Sequence, residues 1–381
     1  MKILFVSMPS IHASRWIENL KDTNHELYWF NVLDAGRLDT NIDIIQFTKW
    51  KQRKIKYIKG EYVLRKKLNI FYKRLQPFLE VTINEKLDEI VKQIQPDLVH
   101  SFEMQSCSYP ILSVMNKYSR IKWLYSCWGS DLFYYRDFEK HNKKIKSVLN
   151  RIDYLHTDCL RDFSIAKILG FRGDYLGVIP GGGGYKLNKL IELKETIRNR
   201  KIILIKGYEH KFGRAINVIK AIQLLDKEIV NYEVVVFGTH QKVINYIRDK
   251  KLPYIYYGRD ELNHFQVLEL MGKSRLYIGN SISDGLPNTL IEAMIMGAFP
   301  IQSNPGNVST ELIKDTVNGL LINSPDNIEE IRDTIKLAFK LGDEKRFENA
   351  ANINSGIANL RLDFNENKKR VKDLYHKIEI A

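Results

Sequence analysis

The apolar positions of this chain switch repeatedly between a run and a helical stripe. Residues 2–7 (KILFVS) are a short apolar run, and 13–21 then places Trp16, Ile17 and Leu20 on one helical face. Glu26–Val32 (ELYWFNV) is a second run, so the chain opens in strand–helix–strand order. A helical stripe over 83–94 leads into a strand at 97–99, ending at His100. Further strands are predicted at 123–127 (WLYSC), 155–157 and 175–179 (YLGVI). The second half repeats the rhythm. It gives strands at 202–205, 233–237, 254–257, 276–278 and 299–302, and helices at 214–225, 241–249, 262–271, 288–296 and 326–340. Strict alternation of strands and helices predicts parallel sheets covered on both faces.

Between the halves stand Pro180 and four glycines, Gly181–Gly184. Pro followed by Gly reads as a flexible joint, with a polar, basic helix predicted over 186–199. The expected division is therefore 1–185, 186–364 and a C-terminal helix, 365–381. That helix carries Val371, Leu374, Tyr375 and Ile378 on one side and is expected to pack back on the first domain. The fold class is α/β, with two doubly wound Rossmann-like domains.

A composition of 44% hydrophobic and 27% charged residues in 381 supports two packed cores and argues against disorder. Cys107, Cys127 and Cys159 are odd in number and lack metal spacing, which fits inert thiols in a reducing compartment. The first residues read as a strand rather than a secretory signal, and no apolar run reaches about 18 residues. A cytoplasmic location is expected, with attachment to the inner face of the membrane left open. The net charge of +14 calls for an anionic partner without choosing one.

The chemistry concentrates in Ser281–Asn304 (SISDGLPNTLIEAMIMGAFPIQSN). A strand gives way to a tight loop in which Gly285 permits close backbone approach and Pro287 opens a helix. That helix stops at Gly297. Free N–H groups at 288–290, above the C-terminal edge of a parallel sheet, form a phosphate site. Asp284 and Glu292 flank it. Carboxylates beside a diphosphate are repelled by it, so their task is accepting hydrogen bonds from sugar hydroxyls.

This stretch resembles glycosyltransferase family 4, marked by an acid, seven residues, a Glu, and then Ala-Met-x-x-Gly. Asp284, Glu292-Ala293-Met294 and Gly297 match, with Asp where the family usually has Glu. Gly306, Glu311 and Asn318-Gly319-Leu320-Leu321 also look familiar. The resemblance implies a GT-B fold, two domains facing across a cleft, with acceptor bound by the first and nucleotide-sugar by the second. It implies that Asp284 holds the transferred sugar, that Glu292 holds the ribose, and that the backbone of Gly285, Leu286, Pro287, Asn288 and Thr289 meets the sugar and diphosphate. No metal and no cofactor is expected.

Charge developing on a leaving diphosphate needs cations nearby. The loop after the strand at 202–205 offers Lys206, Gly207, Lys211 and Arg214, with Tyr208 where relatives carry Arg. Lys211 and Arg214 are the expected pair. In the first domain Trp128 stands where relatives place His. It cannot accept a hydrogen bond, so it is read as stacking on a sugar or acceptor face. Asp131 either binds hydroxyls or caps the next helix. His12, Arg15 and His100 are candidate ligands for acceptor or phosphate, with structural roles as the alternative. Lys51–Arg74 carries ten Lys or Arg and one acid, Glu61, interleaved with Tyr57, Ile58, Tyr62, Ile70 and Phe71. This suits an anionic membrane carrying a lipid-linked acceptor, or a solvated basic helix. No nucleic-acid motif supports an RNA partner.

The reading is a retaining transfer from a UDP- or GDP-sugar to a glycan or lipid-linked acceptor in bacterial surface polysaccharide synthesis. A leaving-phosphate-assisted, front-face route follows from the resemblance. Two alternatives stand beside it, a nucleotide-sugar epimerase of the same build and a non-enzymatic membrane or nucleic-acid binder. A dehydrogenase is excluded, because Ser7-Met8-Pro9-Ser10 is no dinucleotide fingerprint.

Overall fold

The computed structural model describes residues 1–57, 59–179, 183–225, 227–341 and 343–381. Ile58 of the basic segment and Pro180, Gly181 and Gly182 of the expected joint lie outside the described residues. The chain divides into two compact units. The first comprises Met1–Thr157, Phe163–Gly177 and Val371–Ala381; the second comprises Asp158–Asp162 and Val178–Arg370. The division at 178 precedes the expected 186 because Tyr185 already belongs to the second unit, exchanging backbone bonds with Leu362 and Phe364.

Among the described residues each unit holds one sheet. In the first unit the strands are β1 (Lys2–Ser7), β2 (Glu26–Asn31), β3 (Ile45–Phe47), β4 (Leu98–Phe102), β5 (Lys122–Cys127), β6 (Tyr154–Thr157) and β7 (Asp174–Val178). Their order is β3-β2-β1-β4-β5-β6-β7. In the second unit β8 (Ile202–Lys206), β9 (Glu233–Thr239), β10 (Ile255–Gly258), β11 (Ser274–Gly279), β12 (Phe299–Ser303) and β13 (Leu320–Ile322) run in the order β10-β9-β8-β11-β12-β13. The central pairs of both sheets are parallel. Strand order thus reverses at β1 and again at β8. A doubly wound sheet opens a crevice at the carboxyl end of such a strand, where ligands bind.

Local sequence explains the elements. The helix Ile83–Ile94 starts at a capping box, Thr82 with Glu85, and points Leu87, Ile90, Val91 and Ile94 inward. The helix Asn288–Met296 ends at Gly297 with φ of 76°, a left-handed cap that suits glycine. In the C-terminal helix, Phe364–Ile380, the side chains Val371, Leu374, Tyr375 and Ile378 are buried. Tyr375 accepts from Trp16 Nε1 at 2.9 Å, within the first unit.

The expected helix at 186–199 is instead two 3₁₀ turns, Leu187–Leu193 and Ile197–Asn199. Of these turns only Leu190 is buried, and Lys186 provides no side-chain cap, so nothing holds a longer helix. Two features were not anticipated. One is the helix Glu344–Arg361, which buries only Phe347, Ala350, Asn354 and Ala358. The other is the division of the basic segment, read as one helix at most, into a pair, Glu61–Lys67 and Asn69–Leu79.

Candidate active site

In the second unit two loops meet at the strand-order reversal. The loop after β8 begins at Gly207, where a Cβ would lie 2.8 Å from Thr239 Cα, so only glycine lets it lie against β9. Its far end pairs with the loop after β11: Arg214 N donates to Asn280 O at 3.0 Å, and Ile282 N donates to Phe212 O at 3.0 Å. The two loops therefore form one hydrogen-bonded ledge at the carboxyl end of the sheet.

Positive charge gathers on this ledge around one ring. Lys206 Nζ lies 4.7 Å from the Tyr208 ring centre, and the Arg259 guanidinium 5.8 Å from it. His240 and His210 flank the same ring at 5.2 and 5.8 Å. Burial lowers the His210 pKa, and His240 and Lys206 lower it further, so this imidazole is neutral at pH 7. Lys206 Nζ is also 3.8 Å from Asp284 Oδ2. Beside this cluster a recess of about 560 Å³ opens among Thr239, His240, Gly258, Arg259 and Glu261. Lys211 is exposed, its ammonium 5.4 Å from the Phe212 ring.

The expectation for Arg214 is corrected. Its Nε holds Asp326 at 2.7 Å, and its Nη1 donates to the carbonyls of His210, Lys211 and Gly213. The guanidinium builds the loop and is spent on it, whereas Lys206 and Arg259 face the ring cluster.

On the other loop, Asp284 Oδ1 accepts from Gly285 N at 3.0 Å, and Asp284 O accepts from Arg161 at 2.8 Å. Gly285 faces Asp158, whose carboxylate would stand 2.3 Å from an added Cβ. Pro287 caps the helix, and no acid stands in its first turn to oppose an anion. The Leu290 N–H, expected to be free, turns back to Pro287 O at 3.0 Å, which leaves the phosphate-facing turn to 288 and 289. Thr289 Oγ1 accepts from Tyr277 Oη at 2.8 Å, and the Leu286 side chain is buried, so only its backbone can meet a ligand.

Glu292 is only 4% exposed. Its Oε1 accepts from His264 Nε2 at 2.7 Å and from Tyr185 Oη at 3.3 Å. A buried carboxylate holding two polar partners is a built site rather than a solvated face. Neither His264 nor Tyr185 carried a local sequence signal, because the fold brings both from distant segments. The same holds for Arg161, which also donates to Pro305 O; Glu311, already noted in the sequence, accepts from the N–H groups of Leu160 and Arg161. Asp158, Cys159 and Asp162 place ligand atoms within 4.8 Å of one another. Burial pushes the Cys159 thiol pKa well up and Arg161 occupies Asp162, so this trio is a poor cation cage.

In the first unit the expected contacts divide. Trp128 is half-buried beside Phe102 and His12, at 6.2 and 5.7 Å between rings, a surface that fits stacking. Arg15 borders a recess of about 450 Å³ with Ser10, Ser14, Arg37 and Thr40. Two expectations are corrected. His100 is completely buried, with Nδ1 2.6 Å from Tyr375 Oη and Nε2 2.7 Å from Ser126 Oγ. Burial holds its pKa well below the usual range, so it is a neutral packing residue. Asp131 is buried too, accepting from Tyr125 Oη at 2.6 Å and from the N–H groups of Trp128 and Met104. It organises the loops after β4 and β5 and presents no edge to a sugar.

Glu103, just past β4, was missed. It holds φ of 64°, unusual for a non-glycine residue, and its carboxyl accepts from Gln105 and Ser106 N–H groups. Burial and then Asp131 raise its pKa to about 7.

Comparison with known proteins agrees with this geometry. The glycosyl transferase 4-like family matches residues 2–158, and the glycosyl transferases group 1 family matches residues 191–354. No curated protein matches the chain in sequence. Among solved structures, HepE of Anabaena, in complex with UDP and glucose, is 16% identical with a TM-score of 0.69 over 99% of each chain. Sucrose-phosphate synthase of Thermosynechococcus elongatus is 14% identical with a TM-score of 0.71 over all of both chains. A glycosyltransferase of Rickettsia africae is 18% identical with a TM-score of 0.67, over 99% of this chain and 98% of that one. With both halves matched by glycosyltransferase families and both sheets in the same doubly wound order, the chain belongs to the GT-B glycosyltransferases.

Proposed function

We propose that this enzyme moves a glycosyl group, with retention at the anomeric carbon, from a nucleoside-diphosphate sugar to a glycan or lipid-linked acceptor in surface polysaccharide synthesis. The observation that carries the reading is the ledge at the end of β8 and β11. There Lys206 and Arg259 converge beside Asp284 and the Gly285–Thr289 turn, with Glu292 buried behind it. Two fixed cations and a helix start match a diphosphate and stabilise the charge that grows as it leaves. Lys211 lies on the same loop and adds to them.

Each carboxylate has a separate task. Asp284 is half-exposed and accepts hydroxyls of the transferred sugar. Glu292 accepts ribose hydroxyls by exchanging its bond to His264, which is the more exposed partner of the pair. The recess at Thr239, Gly258 and Arg259 takes the base. UDP is favoured, since HepE binds UDP-glucose and pneumococcal GtfA is in complex with UDP and GlcNAc. Charge neutralisation by side chains makes a divalent metal unnecessary. The departing phosphate oxygen then receives the acceptor proton on the same face of the sugar. Trp128, His12 and Arg15 are the acceptor contacts proposed for the first unit.

The test is a panel of UDP- and GDP-sugars with a chelator present, following release of free diphosphate and the anomeric configuration of the product. Release from one donor class with a retained configuration supports the reading. An inverted product, or strict dependence on divalent cation, contradicts it.

A further inference from the structure

We infer that the helical pair Glu61–Lys67 and Asn69–Leu79 is a docking surface for an anionic lipid bilayer. The pair is anchored from below. Arg53 makes a two-pronged bond to Glu61, 2.6 and 2.8 Å, and Tyr72 Oη donates to Glu61 at 3.1 Å. Arg53 and Tyr72 both reach Glu80 as well. Lys54 ties the end of the second helix through Pro77 O and Glu85. This base draws the negative charge of the region inward, leaving the outer surface to cations and apolar side chains.

That outer surface is what a soluble protein normally avoids. Ile70 is 75% exposed, Phe78 70% and Tyr62 72%, with Val63, Phe71 and Leu75 exposed beside them. Arg74 stands one turn from both Ile70 and Phe78, and Lys66 one turn from Tyr62, its ammonium 5.9 Å from that ring. Arg65 and Lys67 are exposed on the same helix. Apolar side chains one turn from cations fit an acyl boundary beneath anionic headgroups. Among the described residues no helix is long and apolar enough to cross a membrane, so the contact is one of surface lodging. The chain's charge of +14 supplies the long-range attraction. The geometry is independent of the proposed donor chemistry; a lipid-linked acceptor supplies only its purpose.

The experiment sediments the full chain with vesicles of phosphatidylcholine, alone and mixed with phosphatidylglycerol, without donor or acceptor. Binding is expected only to the anionic vesicles and is expected to weaken with salt. Each cation is worth roughly fivefold in affinity, so Arg65→Glu with Lys66→Glu and Lys67→Glu should lose roughly 100-fold or more. Ile70→Ser with Phe71→Ser and Phe78→Ser should lose at least roughly tenfold. Nucleoside-diphosphate thermal shifts on the same variants should match the unmodified chain, because these side chains point to solvent. Equal binding to neutral vesicles, or no binding, overturns the inference. So does a dimer in sedimentation velocity that the serine variant dissolves, or single-stranded RNA binding that the glutamate variant abolishes while vesicle binding persists. Failed vesicle binding with intact nucleotide shifts would sink the docking surface alone; the reverse would sink the donor assignment alone.

Discussion

The two units share one strand order but fill the end of the sheet differently. After β8 and β11 the second unit leaves polar groups at the surface: Lys206 and Arg259 around Tyr208, and Asp284 at the start of a proline-capped turn. After β1, β4 and β5 the first unit closes its polar groups on themselves. His100 is sealed between Tyr375 and Ser126, and Asp131 collects donors from Met104, Tyr125, Cys127 and Trp128. What remains outward there includes the aromatic pair Trp128 and His12 and the recess that Arg15 borders. The topology sets where a ligand can sit, and the side chains decide its kind. A charged diphosphate fits the first description, a sugar face the second.

The comparison breaks most visibly at Asp284. Asp284→Ala should lower transfer by roughly 10²–10³-fold while leaving nucleoside-diphosphate affinity within a few-fold, read by initial rates and calorimetry. An equal loss of affinity would move Asp284 from the sugar to the nucleotide.

Glu103 tests the self-contained side. Its folded pKa of about 7 lies above the ordinary 4.5, so the folded state binds the proton more tightly. Its contribution is therefore full below pH 4.5 and is lost as pH rises through 7. The loss is on the order of 3 kcal/mol. Denaturation curves of Glu103→Gln near pH 5 and pH 8 should show that this slope has gone. An unchanged slope would assign it elsewhere.

The next contrast lies within one loop. Lys206→Ala should weaken nucleoside-diphosphate binding by roughly 10–100-fold, the worth of a charged hydrogen bond. Arg214→Ala should instead cost about 1–2 kcal/mol of stability through Asp326 and three loop carbonyls. If calorimetry and melting reverse these effects, the two roles are exchanged. The smallest effect is at Trp128. Trp128→Phe should keep the acceptor KM within a few-fold, and Trp128→Ala should raise it roughly tenfold if the ring stacks on a sugar.

Much of the fold was legible because the apolar pattern has only two periods. The expected helices 83–94, 241–249 and 288–296 match to the residue, the last bounded by Pro287 and Gly297. Where the stripe is thin the reading failed. The helix Glu344–Arg361 buries Phe347 but otherwise only Ala350, Asn354 and Ala358, while 186–199 looked helical yet has too little to bury. The site was half legible. Asp284, Gly285 and Glu292 sit on one short segment whose turn and cap are local. Arg259, His264, Tyr185 and Arg161 arrive through the sheet, and nothing near them in sequence announces it. Sequence favoured Lys211 and Arg214 over Lys206, and only their partners, Asp284 for Lys206 and Asp326 for Arg214, reverse that order.

The most direct test of the donor site is the melting temperature of the unmodified chain and of Glu292→Ala, with and without each nucleoside diphosphate. Ligand at about 100 times its Kd adds roughly 2.7 kcal/mol, several degrees for a chain of this size. One nucleotide should give that shift, and Glu292→Ala should abolish most of it while still melting cooperatively. The same shift in both proteins, or none in the unmodified chain with any nucleotide, would contradict the placement of the donor on the ledge between β8 and β11.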